Sequence, residues 1–110
     1  MVLRDLTKGV EVKRILGRDD VDIVGISYDS KEVRAGFLFA AIRGEKTDGH
    51  KYIGSAVEKG ARAILVEEIP EDTFDDTSII QVEDTKSALA EISANFFSHP
   101  TKGLTLVGVT

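Results

Sequence analysis

The chain has 110 residues, 42% of them hydrophobic and 30% charged, which leaves room for one compact domain and at most part of a second. A formal net charge of -5, with lysines and arginines set singly among acids, offers no broad basic face and argues against nucleic acid as a partner. The absence of cysteine excludes disulfides, thiolate metal sites and a cysteine nucleophile. No stretch is apolar over a bilayer's thickness, so the chain is expected in the cytoplasm and off the membrane.

Leu3, Leu6 and Val10 recur at helical spacing and predict a short helix over residues 2–8, closing at Gly9, with Ile15 and Leu16 adding a loose apolar patch. Val21, Ile23, Ile26 and Tyr28 predict a strand over residues 21–30 that ends at Asp29-Ser30. The run from Phe37 to Ile42 is too apolar for an exposed edge and reads as a buried strand, which delivers the polar segment from Arg43 to His50. Asp48 is placed to cap a helix carrying Tyr52, Ile53, Ala56 and Val57, and Gly60 falls where a left-handed C-terminal residue is wanted.

Residues 63–66 and 79–82 are short continuous apolar runs and predict two further strands, separated by an acidic stretch around Pro70 that reads as a solvated loop. The expected fold is α/β: a small mixed, largely parallel sheet flanked by helices. Asp84 or Thr85 can cap a longer helix with Leu89, Ile92 and Phe96 on one face, ending near Ser98 ahead of Pro100. Residues 104–110 then read as an apolar strand entering a glycine-containing turn, as a strand feeding a phosphate-binding loop begins. The expectation is therefore the first part of a longer protein, with one domain over residues 1–83 and the first helix and strand of a second over residues 84–110.

No catalytic constellation is visible. His50 and His99 lie at ends of different helices without a carboxylate at metal-ligand spacing, so no metal site is expected, and both read as surface or capping residues. Two polar stretches follow apolar strands and would leave the same end of a sheet if those strands run parallel. The first, Tyr28-Asp29-Ser30, reads either as a strand-terminal turn or as an aromatic face beside a hydroxyl able to bond a phosphate or carbonyl oxygen. The second, Arg43 to His50, reads either as a turn and helix cap or as an anion site built from backbone N-H groups, a lysine, a threonine hydroxyl and a helix N-terminus.

Taken together, Ser27-Tyr28-Asp29-Ser30-Lys31-Glu32-Val33, the block from Gly36 to His50, residues 53–61, and Phe96-Phe97-Ser98-His99-Pro100 through Leu106-Val107-Gly108-Val109-Thr110 resemble the N-terminal part of the Mur ligases. Within that family they look most like the branch that adds the third residue to UDP-N-acetylmuramoyl-dipeptide in peptidoglycan synthesis. The resemblance implies an N-terminal α/β module that holds the UDP end of the substrate, a central domain of P-loop type with an ATP-binding loop, and a C-terminal domain for the incoming amino acid. It assigns UDP contacts to Tyr28, Ser30, Glu45, Lys46 and Thr47, and turn-forming roles to Asp29, Asp48, Gly49 and His50. It also implies that ATP and magnesium, bound beyond Thr110, convert a substrate carboxylate to an acyl phosphate that the incoming amine attacks. No catalytic residue or cofactor is then expected within these 110 residues, whose partners would be the UDP-linked dipeptide and the remaining ligase domains. Two alternatives stand beside this one: the N-terminal domain of the ligase that adds the terminal dipeptide, and a non-catalytic α/β module that senses a nucleotide.

Overall fold

The computed structural model describes residues 1–42, 48–71, 74 and 76–98. The chain runs through helix α1 (Leu3–Leu6), strands β1 (Val12–Leu16) and β2 (Gly25–Ser27), a 3-10 turn at Ser30–Glu32 and strand β3 (Phe37–Ala40). A second 3-10 turn at Gly49–Tyr52 continues into helix α2 (Ile53–Glu58), followed by strands β4 (Ala63–Val66) and β5 (Ser78–Val82) and helix α3 (Thr85–Ser98). The five strands form one sheet in the order β1-β5-β4-β3-β2. Strands β2 through β5 are mutually parallel, and β1 closes the edge antiparallel to β5. The sheet is thus mixed and largely parallel, as the apolar runs imply.

Those runs are continuous because the central strands are covered on both faces. Leu38, Ala40, Ala63, Leu65, Ile80 and Val82 point to one side, where Leu3 and Leu6 of α1 and Ala88 and Ile92 of α3 complete a buried cluster. Phe39, Ala41, Ile64, Val66 and Ile79 point to the other, against Ile53 and Ala56 of α2. The result is three layers, helix on sheet on helix.

Several expectations change in detail. Ile15 and Leu16, read as a loose apolar patch, belong to the antiparallel edge strand Val12–Leu16, with Lys13 and Arg14 exposed and Lys13 paired to Glu83 at 2.6 Å. The strand expected over 21–30 shrinks to Gly25–Ser27 because Val21 and Ile23 are held instead by the N-terminus: Leu3 N donates to Val21 O at 2.8 Å and Ile23 N to Met1 O at 2.7 Å. The first helix closes at Leu6 rather than residue 8. The acidic loop between β4 and β5 is not wholly solvated, since Ile69 and Phe74 pack against the cluster under α2. Gly60 does take the left-handed conformation wanted after a helix, at φ +105°.

Helix α3 lies on this sheet. Asp84 caps it by accepting from Lys86 N at 3.0 Å and Ser87 Oγ at 3.1 Å, and the Asn95 amide donates to the carbonyls of Leu6 and Lys8 at 2.8 and 2.9 Å. The strand expected over residues 104–110 lies outside the described residues.

Candidate functional site

Strands β2 and β3 are parallel neighbours with Ser27 opposite Phe39, so the chain leaves both at the same end of the sheet. After β2, Asp29 builds a tight turn by accepting from Lys31 N at 2.9 Å, while its own N-H donates to Ser27 Oγ at 3.0 Å. Tyr28 is carried outward on this turn and is 70% exposed, whereas Ser30 is drawn in and is only 9% exposed. Every polar side-chain atom sealed from solvent among the described residues has a partner. The Ser30 hydroxyl makes no hydrogen bond to a described residue, so it reaches solvent through an opening rather than being sealed in.

That opening is a cavity of about 380 Å³ lined by Tyr28, Asp29, Ser30, Lys31, Ile42, Gly49 and Tyr52. Its size falls within the ~300–1,000 Å³ of small-molecule sites. The turn after β2 forms one wall. Ile42 and Gly49 form another, where Gly49 N donates to Ile42 O at 2.8 Å and a Cβ on Gly49 would sit 2.6 Å from Ile42 N. Glycine is thus required there by close backbone approach. Tyr52, 44% exposed, adds a second aromatic face at the start of α2. The lining offers what a nucleoside phosphate needs: aromatic faces for a planar base, a half-sequestered hydroxyl, and the Lys31 ammonium for a diphosphate.

A second cavity of about 390 Å³ lies at the β5–α3 junction, lined in part by Glu11, Glu83, Asp84 and Glu91. Its carboxylates would repel a diphosphate, which separates two cavities of nearly equal volume. Beside β2 and β3 the lining carries one carboxylate, Asp29, and one ammonium, Lys31, and is the more favourable of these two for a diphosphate.

Of the residues expected at the UDP site, Tyr28 and Ser30 line this cavity, and Glu45, Lys46 and Thr47 lie outside the described residues. Asp29 orders its turn as expected and also forms part of the wall. Sequence reasoning did not single out Lys31, Ile42 or Tyr52 as lining residues. Tyr52 was legible only as one member of an apolar helix face, and its position at a 3-10 turn, not mid-helix, is what aims it at the cavity. His50 does not line the cavity; its ring is directed to Asp48 and to the backbone after β4. No group of three or more His, Asp or Glu among the described residues is placed to hold a metal, and no described helix is long and apolar enough to cross a membrane.

Comparison with known proteins agrees with this fold. Residues 22–97 match the family described as Mur ligase family, catalytic domain. A UDP-N-acetylmuramoyl-L-alanyl-D-glutamate--2,6-diaminopimelate ligase of Bacteroides thetaiotaomicron is 44% identical over 110 residues, which is 100% of this chain and 23% of that protein. A protein of the same name from Clostridioides difficile is 39% identical over 110 residues, 22% of its length. The chain therefore spans less than a quarter of these relatives. Among solved structures, the UDP-N-acetylmuramoylalanyl-D-glutamyl-2,6-diaminopimelate--D-alanyl-D-alanyl ligase of Acinetobacter baumannii superposes with a TM-score of 0.68 over 86% of this chain and 21% of its own, at 23% identity, a likeness of fold alone. The MurF ligase of Thermotoga maritima, solved with ADP, covers 66% of this chain and 16% of its own at 34% identity and a TM-score of 0.55. By its family match and by relatives identical at these levels along its whole length, the chain belongs to the Mur ligase family.

Proposed function

We propose that this chain is the substrate-anchoring, UDP-binding domain of an ATP-dependent ligase that adds the third amino acid to UDP-N-acetylmuramoyl-L-Ala-D-Glu in the cytoplasm. The observation that carries this reading is the cavity at the shared exit of β2 and β3, lined by the half-sequestered Ser30, whose hydroxyl has no described partner, together with the exposed Tyr28 and Tyr52 and with Lys31. Tyr28 and Ser30 contact the UDP end of the substrate from one wall, and the family resemblance adds Glu45, Lys46 and Thr47 to those contacts. The third-residue reading is favoured over the terminal-dipeptide one because the relatives matching the whole chain at 39–44% identity carry that activity in their names. Their names also supply the incoming amino acid we propose, 2,6-diaminopimelate.

Residues 1–83 form the anchoring unit in this reading, and residues 84–110 begin the central domain, with α3 seated on the anchoring sheet as the connector. The family's ATP-dependent chemistry, with magnesium, activates a substrate carboxylate. In this reading the work of the present residues is to bind and orient the substrate.

Calorimetric titration with UDP tests the reading. Ser30→Ala should cost about 1 kcal/mol of binding if the hydroxyl bonds the ligand. Unchanged affinity in that variant would remove Ser30 from the site.

A further inference from the structure

His50 stands beside the cavity without lining it, yet its imidazole makes more hydrogen bonds than the turn around it requires. Capping of the 3-10 turn at Gly49–Tyr52 uses only the backbone N-H of residue 50, which donates to Asp48 Oδ1 at 3.0 Å, and any residue but proline would supply that group. The ring adds a 2.7 Å bond from Nδ1 to the same carboxylate oxygen, and its Nε2 accepts from the backbone N-H groups of Glu67 and Glu68 at 3.1 and 3.3 Å. A nitrogen that accepts two N-H donors carries no proton, so the proton is on Nδ1 and is donated to Asp48.

The bonds continue beyond the ring. Glu67 Oε2 accepts from Thr85 N at 3.0 Å and Thr85 Oγ1 at 3.1 Å, and Gln81 Nε2 donates to Glu67 O at 3.0 Å. Thr85, fully buried, is the first residue of α3. One run of hydrogen bonds thus crosses the C-terminal ends of β3, β4 and β5, from the residue flanking Gly49 to the first turn of α3.

We propose that His50 is a positioning residue, holding the Gly49 wall of the cavity at the end of β4 and, through Glu67, in fixed relation to the start of α3. This rests on the reading of the cavity as a UDP site and adds to it a residue that never touches the ligand. A wall fixed in advance binds without the cost of ordering it, so loss of the ring weakens the ligand through the backbone it holds.

The test combines NMR of the unliganded chain with UDP titrations of the unmodified protein, His50→Phe and His50→Gln. Side-chain 15N shifts of His50 should show a protonated Nδ1 and a bare Nε2; protonation at Nε2 would overturn the proposal whatever the cavity binds. With UDP, the amides of Glu67, Glu68 and Thr85 should respond with the same midpoint as Ser30, although none of the three lines the cavity. His50→Phe should retain the far-UV circular dichroism spectrum, bind UDP about tenfold more weakly and lose the Thr85 response. His50→Gln, whose carbonyl can accept from residues 67 and 68, should recover part of both. Native affinity in His50→Phe, or an unaltered Thr85 response there, refutes the positioning role while leaving the UDP reading intact. Absence of any Ser30 response in the unmodified protein refutes the UDP reading itself and takes the positioning role with it. If His50→Phe does not fold, the 15N shifts and the His50→Gln titration decide the matter.

Discussion

Lys59 Nζ donates a 2.9 Å hydrogen bond to the backbone carbonyl of Ser30, which lies 29 positions earlier. The bond joins the C-terminal end of α2 to the turn after β2. Since Tyr52 sits at the N-terminal end of the same helix, both ends of α2 serve the cavity, one by supplying a wall and the other by steadying the opposite wall.

Lys59→Met should therefore loosen the Ser30 turn at a stability cost of about 0.5–1 kcal/mol, the charged hydrogen bond being discounted for the exposure of the lysine. Urea denaturation measures this, and Lys59→Arg, which keeps a cationic donor, should lose less.

Gly49→Ala should cost about 1–3 kcal/mol, the range for forcing a methyl into packed structure. Its Cβ would meet Ile42 N at 2.6 Å and Ala41 C at 3.0 Å, both backbone atoms that cannot rotate away. The same variant should weaken UDP, because Ile42 and Gly49 line the cavity together. Paired denaturation and binding curves check both effects.

How much of this could be read from the sequence depended on burial. The central strands β3, β4 and β5 announced themselves because residues such as Phe39, Ile64 and Ile80 are covered whichever way they point, so their runs are apolar but for Gln81 in β5, which is partly exposed. Strand β1 did not, because it is an edge: Lys13 and Arg14 face solvent, and a register shift between Val12 and Arg14 breaks any alternation. In the site, the position of Ser30 just past a strand was legible, but its burial depends on a turn closed by Asp29 and on Lys59. Of the His50 ring's partners only Asp48, two residues away, was visible in the sequence; the others are backbone amides 17 and 18 residues away whose identity leaves no mark on it.

Ile92→Ala should destabilise the whole fold by about 2–5 kcal/mol, as expected for a fully buried aliphatic side chain. Ile92 joins α3 to the cluster containing Leu3, Leu6 and Leu65. A single cooperative unfolding transition with a lowered midpoint is the expected result; loss of α3 alone, with the sheet's transition unmoved, would show that the helix is not part of this core.

The Asp20 carboxyl lies below its ordinary range because the Arg18 guanidinium hydrogen-bonds it, with contacts of 2.9 and 2.8 Å. A depressed carboxyl stabilises above the unfolded group's titration and loses that contribution as pH falls through its own lowered value, so whatever the pair contributes is present at neutral pH and disappears in acid. Both groups are fully exposed, and the midpoint of unfolding at neutral pH should not move on Arg18→Gln. The Asp20 carboxyl 13C titration should move upward in that variant.

The cavity assignment itself is tested most directly by following backbone amide signals of the chain during titration with UDP. Saturable shifts at Tyr28, Ser30, Lys31, Gly49 and Tyr52, sharing one midpoint while Glu11, Glu83 and Glu91 stay unmoved, are the predicted result. Shifts gathered instead at that acidic cavity, or none at millimolar UDP with the fold intact, would contradict it.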